Sequence, residues 1–197
     1  RYAKAYNNRG IVWLDKKDYD KAIADFDAAI RVDPELIWAY QNRGTAWAER
    51  KDMDKALRDF EQAIQIDPKD ATTFILRGLA WSLAKDTDKA LKDYDRAIEL
   101  NPASTWAYMN RSILFYGRGE FAKAILDCDA LIRLDPKNVH AWSNRGLARQ
   151  RTKEHQKAIQ DFTQAAQLDP MSFSAFLGRA NVWYELKEFN KAHEDYD

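Results

Sequence analysis

Residues 42–47 read NRGTAW, and the arginine inside this stretch returns at a constant interval of 34 residues. Its copies are Arg9, Arg43, Arg77, Arg111, Arg145 and Arg179. The five prolines keep the same interval, at Pro34, Pro68, Pro102, Pro136 and Pro170. Because 197/34 is 5.8, we interpret the chain as a single array of nearly six copies of one unit. The predicted units are 3–36, 37–70, 71–104, 105–138, 139–172 and an incomplete 173–197.

Composition excludes several classes of function. Lys plus Arg and Asp plus Glu both number 31, so the chain lacks the net basic field that would attract nucleic acid or an anionic membrane surface. No apolar run approaches the roughly 18 residues that indicate a membrane span. The single cysteine excludes an internal disulfide and is compatible with a reducing compartment. The cytoplasm is therefore favoured, although the sequence leaves localisation open.

Each unit has the pattern of two helices. In the second unit, aromatic and small residues recur at helical spacing from about Ile37 to Glu49, and a second apolar stripe begins at Ala56. Pro68 ends this second helix, because proline disfavours the helical state of the residue before it. No strand-like alternation is present, so the predicted fold class is all-α. The next helix is expected to start from a side-chain cap, at Asp70, Ser104, Asn138 and Ser172, with Leu36 as the exception.

Two sets of recurring residues resemble a known family. The first helix carries an aromatic residue and then a small one, as in Tyr6 and Gly10, Tyr40 and Gly44, Phe74 and Gly78, Tyr108 and Ser112, Trp142 and Gly146, and Phe176 and Ala180. The second helix carries an alanine and then an aromatic residue, as in Ala22 and Phe26, Ala56 and Phe60, Ala90 and Tyr94, Ala158 and Phe162, and Ala192 and Tyr196, with Cys128 as the exception after Ala124. The chain resembles the tetratricopeptide repeats over essentially its whole length. This resemblance implies a solenoid, a right-handed superhelix of antiparallel helix pairs whose first helices line a concave groove.

The recurring arginine has a structural and a ligand-binding interpretation. Arg43 shares a helix face with Tyr40 and Trp47, which is the packed side, so the arginine is expected to be partly buried and to need a partner. An aspartate of the second helix recurs at the same period, at Asp25, Asp59, Asp93, Asp127, Asp161 and Asp195. We favour a structural Arg-Asp ladder, formed in the middle of the chain by Arg43, Arg77 and Arg111 with Asp59, Asp93 and Asp127.

The residue before the arginine lies on another face of the same helix. It is an asparagine in four units, at Asn8, Asn42, Asn110 and Asn144. By the resemblance this face is turned towards the groove, where an amide can donate to and accept from a peptide backbone. The alternative is a solvated polar residue on an exposed helix. Related domains that grip acidic chaperone tails carry groove lysines, but those positions hold Asn7, Gln41, Ile75, Met109, Ser143 and Leu177, so that carboxylate clamp is not expected.

Large apolar residues also fall on the predicted groove face. They are Trp38, Ile75, Leu76, Leu79, Trp106, Met109, Ile113 and Tyr116. One alternative is that they fill spaces between neighbouring first helices. We favour a recognition site in which apolar anchors supply affinity and the flanking amides of Asn42, Asn110 and Asn144 hold a backbone. The expected partner is an uncharged, partly hydrophobic protein or peptide segment bound across repeats two to five.

No residue pattern indicates an enzyme, a metal site or a cofactor. The three histidines are too scattered for a metal-binding pair on one helical turn, and no glycine-rich phosphate loop occurs. Cys128 replaces a recurring aromatic residue where Leu131 replaces a recurring alanine, so we expect the pair to keep the core volume nearly constant.

The alternative function is self-assembly through the ends of the solenoid. The pattern of the fifth repeat would carry the last helix about nine residues beyond Asp197, and no polar capping helix follows. An uncovered apolar end is unstable or sticky. We therefore expect either a fragment of a longer protein or an end covered by a second copy.

Overall fold

The computed structural model describes residues 2–196, which form twelve α-helices and no strand. The helices are α1 (Tyr2–Asp15), α2 (Tyr19–Val32), α3 (Ile37–Glu49), α4 (Met53–Ile66), α5 (Ala71–Leu83), α6 (Thr87–Leu100), α7 (Thr105–Gly117), α8 (Phe121–Leu134), α9 (Val139–Arg151), α10 (His155–Leu168), α11 (Phe173–Glu185) and α12 (Phe189–Tyr196). This confirms the all-α prediction. Each predicted repeat contains two of these helices.

The chain divides into two compact units after Pro102. The first unit contains α1 to α6, which are three helix pairs, and the second contains α7 to α12, which are three more. Within each unit, every helix packs against the next one along the chain, and first helices of successive pairs also meet. That all six repeats form one domain stays a prediction.

Side-chain caps start many of the helices. In α2, α4 and α6 the caps are Asp18, Asp52 and Asp86, and each accepts a hydrogen bond from the backbone N–H three residues later. The predicted caps Asp70, Ser104 and Asn138 make the same bond, and Leu36 makes none.

The prediction that the Ser172 side chain caps α11 is wrong. Ser172 occupies the N-cap position, but its hydroxyl makes no bond to the helix backbone. The Ser172 Oγ lies 3.3 Å from the Ser174 Oγ instead. The local hydroxyl pair therefore takes the place of the cap.

Within a repeat, the two helices meet where a small residue faces an aromatic ring. A Cβ placed on Gly44 of α3 would lie 2.8 Å from the Phe60 ring of α4, which is closer than packed carbon atoms approach. The ring is almost completely buried, and it joins Ala56, Leu57 and Ala80 in one hydrophobic cluster. Because Ala80 belongs to the next repeat, each repeat buries its apolar face partly against its neighbour.

Each recurring arginine binds the aspartate 16 residues later. The Arg43 Nε donates to Asp59 Oδ2 at 2.8 Å, and its Nη2 donates to Asp59 Oδ1 at 2.6 Å. The corresponding pairs are Arg9 with Asp25, Arg77 with Asp93, Arg111 with Asp127, Arg145 with Asp161, and Arg179 with Asp195. The bidentate geometry is the strongest that a guanidinium and a carboxylate can form, so it fixes the two helices of a repeat against each other.

Several of these arginines also reach the preceding repeat. The Arg43 Nη1 donates to Asp27 of α2 at 2.5 Å, and Arg145 Nη1 donates to Asp129 of α8 at the same distance. Burial disfavours the charge on Arg43, but its hydrogen bonds to the Asp59 and Asp27 carboxylates outweigh that cost and raise its pKa above the ordinary value. The guanidinium thus stays charged and connects three helices.

Asp93→Ala is expected to lower the free energy of unfolding by about 3 kcal/mol, because it strands the Arg77 guanidinium in a largely buried position. The matched control is Glu99→Ala on the same helix, which removes a carboxylate from an exposed pair with Arg96 and should cost less than about 1 kcal/mol. Urea unfolding followed by circular dichroism measures both. Equal losses in the two variants would show that the buried pair contributes no more than a surface pair.

The aspartate caps predict a component of acid sensitivity. Hydrogen bonds from Lys21, Lys55 and Lys89 lower the pKa of Asp18, Asp52 and Asp86 below the ordinary aspartate value. A lowered folded-state pKa stabilises the fold above the unfolded pKa of about 3.9, and this stability is lost as the pH falls through the folded-state pKa. Replacing all three aspartates by asparagine, which also caps, should reduce the drop in melting temperature between pH 5 and pH 2. An unchanged drop would exclude this contribution.

Candidate functional site

In the first unit, the predicted groove asparagine is already hydrogen-bonded. Asn42 Nδ2 of α3 donates to Asn7 Oδ1 of α1 at 2.9 Å. Asn7 is buried, whereas Asn8, the residue that the repeat pattern makes equivalent to Asn42, is exposed. Gln41 Nε2 similarly donates to Asp70 Oδ2 at 2.6 Å and to Thr73 Oγ1 at 2.7 Å. These amides therefore hold neighbouring first helices together, a role that the sequence analysis did not foresee.

The apolar residues of the first unit divide between packing and exposure. Leu76 packs against the core cluster around Phe60, which favours the gap-filling alternative for this residue. Ile75 is half-buried, and Leu79 is exposed. The Trp38 side chain is 56% exposed, with the Lys4 Nζ 5.8 Å from its ring centroid, within cation–π range.

In the second unit, residues of α7 and α9 line a recess on a first-helix face. It has a volume of about 570 Å³ and is lined by Thr105, Trp106, Met109, Ile113, Asn138, His140 and Asn144. We call it the α7–α9 pocket. Of these seven described residues, none is Asp, Glu, Lys or Arg. The pocket can therefore accept an uncharged group without stranding a charge.

Two side chains of the α7–α9 pocket project strongly into solvent. Trp106 is 72% exposed and Ile113 is 52% exposed. Trp106 lies in the first turn of α7, where the Ser104 cap fixes the start of the helix. A large aromatic side chain that is not buried in the core is typical of residues that anchor binding partners.

The asparagines of the second unit differ in how firmly they are bound. Asn110 Nδ2 donates to the Trp106 backbone oxygen of its own helix at 2.9 Å. Asn144 Nδ2 contacts only the Met109 Sδ, at 3.4 Å. A thioether is a weak acceptor, so a carbonyl oxygen could replace it at little cost. Of Asn42, Asn110 and Asn144, only Asn144 donates to a sulfur atom instead of an oxygen atom.

Tyr116, the last predicted groove residue, is held by its neighbours. Its ring meets Phe121 of α8 edge to face at 5.4 Å between centroids, and the Arg151 guanidinium lies 5.0 Å from the Phe121 ring centroid. Tyr116 does not line the α7–α9 pocket. It lines a second, smaller cavity of about 140 Å³ beside Cys128, which we call the Cys128 cavity.

Cys128 does not have the properties of a reactive thiol. Its side chain is 2% exposed, and burial raises its pKa to about 12 although Ser112 is hydrogen-bonded to it. Within residues 2–196, no group of three or more His, Cys, Asp or Glu side chains could hold a metal ion. None of the helices in that range is long and apolar enough to cross a membrane.

Sequence comparison identifies a family. The profile described as tetratricopeptide repeat matches residues 3–36, 37–70 and 139–172, which together exceed half of the chain. A second profile with the same description matches residues 79–139. No curated protein sequence matches the chain significantly.

Solved structures share the fold at low sequence identity. A tetratricopeptide repeat protein from Parabacteroides merdae has a TM-score of 0.80 and 21% identity, covering 98% of this chain and 77% of its own. PilF from Pseudomonas aeruginosa has a TM-score of 0.85 and 16% identity, covering 98% of this chain and 88% of its own. YrrB, described as having an unusual peptide-binding site, has a TM-score of 0.69 and 22% identity, covering 86% of this chain and 88% of its own.

Proposed function

The chain belongs to the tetratricopeptide repeat family, and we propose that it is an interaction scaffold that binds an uncharged, partly hydrophobic segment of a partner protein. The observation that carries this proposal is the α7–α9 pocket, with the exposed Trp106 at its edge. Its volume of about 570 Å³ is in the range of pockets that bind small molecules or a few side chains. The buried Cys128 thiol, whose pKa is raised, is not proposed as a nucleophile.

The lining of the pocket favours a particular class of partner. Trp106, Met109 and Ile113 offer apolar surface, and Asn144 offers an amide donor held only by a thioether. A segment with apolar side chains would gain affinity from the first three, while one of its backbone carbonyls accepts from Asn144. Since the lining carries no formal charge, binding should depend little on salt.

The first unit contributes a separate candidate surface. Trp38 is exposed on α3 and borders a recess of about 400 Å³ that also contains Lys4, Asp67 and Asp70. These charged residues make it less suited to an uncharged segment, and Asn42 is engaged with Asn7. We therefore propose the α7–α9 pocket as the main binding site and the Trp38 surface as secondary.

The structural neighbours support the general class only. YrrB is described as a peptide-binding protein of this fold, and its identity to this chain is 22%. The fold can therefore support peptide recognition. The residues proposed to recognise a peptide follow from the pocket of this chain and not from YrrB.

Self-association is a second candidate, favoured by an exposed apolar patch on the second unit. Met171 and Phe173 are 89% and 76% exposed, and both border a recess of about 350 Å³. If this patch joins two copies, light scattering will give a mass that rises with concentration, and Phe173→Ser will abolish the rise. A constant monomer mass would eliminate this candidate.

Trp106→Ala is expected to weaken binding of a peptide partner by about 2 kcal/mol or more, because it removes the largest apolar anchor of the pocket. The peptide is first selected from a random phage-displayed library against the purified protein. Calorimetric titration then compares the parent protein, Trp106→Ala and Asn144→Ala at two salt concentrations.

The matched control for this titration is Leu126→Ala. Leu126 belongs to the same repeat as Trp106 and is exposed, but it lies on α8 and does not line the pocket. Its replacement should leave affinity unchanged. Equal affinity in the parent protein and in both pocket variants would place the binding site elsewhere.

A further inference from the structure

Repeat four lacks the aromatic ring that fills the same place in other repeats. In four repeats this ring is almost completely buried, at Phe26, Phe60, Tyr94 and Phe162. It packs against a first-helix glycine so closely that a Cβ there would lie 2.5 to 2.9 Å from the ring. In repeat four the ring position is Cys128, and the glycine position is Ser112. The site of an internal side chain is thus only partly filled.

The structure retains the unfilled space as the Cys128 cavity. Its volume is about 140 Å³, and its lining includes Ile113, Tyr116, Cys128 and Leu147. Leu131, which is expected to compensate for the missing ring, is buried but does not line the cavity, so part of the space beside Cys128 stays open. An apolar cavity of about 150 Å³ is large enough to hold a benzene molecule.

The polar atoms around the Cys128 cavity already have partners. Ser112 Oγ donates to the Met109 backbone oxygen at 2.7 Å, and Asn144 Nδ2 contacts Met109 Sδ. The Cys128 thiol is protonated at neutral pH, because burial raises its pKa to about 12. The cavity therefore offers dispersion contacts, including those of the Tyr116 side chain, and its lining has no charged side chain that would stabilise a charged group.

The Cys128 cavity adjoins the proposed binding site. Ile113 and Asn144 line both this cavity and the α7–α9 pocket. The two spaces therefore share the wall formed by Ile113 and Asn144, and this wall is where a side chain of a bound segment would enter the cavity.

We propose that the Cys128 cavity is a specificity pocket for one phenylalanine-type ring of the bound segment. This proposal rests on the proposed function and adds to it the chemistry of the partner. The ring would occupy the place in repeat four that is equivalent to the place of Phe60 in repeat two and of Phe162 in repeat five. The partner therefore supplies in trans the aromatic packing that repeat four lacks in cis.

The test uses a variant in which a side chain of the protein itself fills the Cys128 cavity. Ser112→Gly combined with Cys128→Phe restores the pairing of Gly44 with Phe60 and of Gly146 with Phe162. Toluene is the probe for the empty cavity. We expect near-saturating toluene to raise the melting temperature of the parent protein but not that of the filled variant. Toluene that stabilises both equally, or neither, would overturn the proposal.

A second measurement covers the case in which the filled variant does not fold. In the parent protein, toluene should shift the methyl resonances of Ile113 and Leu147 in carbon-proton NMR spectra. The methyl groups of Ile23 and Ile159, which lie in the cores of other repeats, are the control and should not move. Uniform shifts, or no shifts, would contradict a cavity that accepts a ring.

The library-selected peptides test the link to the binding site. We expect them to share one phenylalanine whose replacement by alanine weakens binding to the parent protein at least tenfold and to the filled variant less than threefold. If toluene enters the cavity but replacing the peptide's phenylalanine by alanine weakens binding equally in the two proteins, the specificity pocket is refuted while the scaffold function stands. If no peptide binds, the scaffold proposal fails, and the toluene result still decides whether the cavity takes a ring.

Discussion

The bidentate bond between a first-helix arginine and a second-helix aspartate is the interaction on which the rest of the structure depends. Asp59 is 5% exposed, so the pair formed with Arg43 exists largely outside water. Removing one member strands a buried charge, which costs more than the intact pair contributes. The pairing therefore favours one alignment of the two helices, and the additional bond from Arg43 to Asp27 extends that alignment to the preceding repeat.

The Arg-Asp pairs lie on one face of the first helices, which leaves the opposite face available for binding. In α7, Arg111 binds Asp127 on the packed side, while Trp106 and Ile113 remain exposed on the other. The side that joins the two helices of repeat four and the side proposed to bind a partner are thus different faces of one helix. Repeat four keeps the Arg111–Asp127 pair although Cys128 stands at the ring position.

Periodicity predicted the features that each repeat determines by itself. The α3 bounds and the register of Arg43 with Asp59 follow from helical spacing and from the need to pair a buried charge. Contacts between side chains of different repeats were not predictable in this way. The hydrogen bond from Asn42 to Asn7 joins two repeats, and the cavity beside Cys128 depends on three-dimensional packing that residue volumes do not specify.

Chemical-shift mapping of the nitrogen-labelled protein with a library-selected peptide tests the central claim most directly. The side-chain signals of Trp106 and Asn144 report on the α7–α9 pocket. The side-chain signal of Trp183, which packs against the Phe162 core cluster, and the backbone signal of the exposed Leu126 report on regions outside it. We predict large shifts for the first pair and small shifts for the second. Large shifts at Trp183 or Leu126, with Trp106 and Asn144 unmoved, would contradict the account.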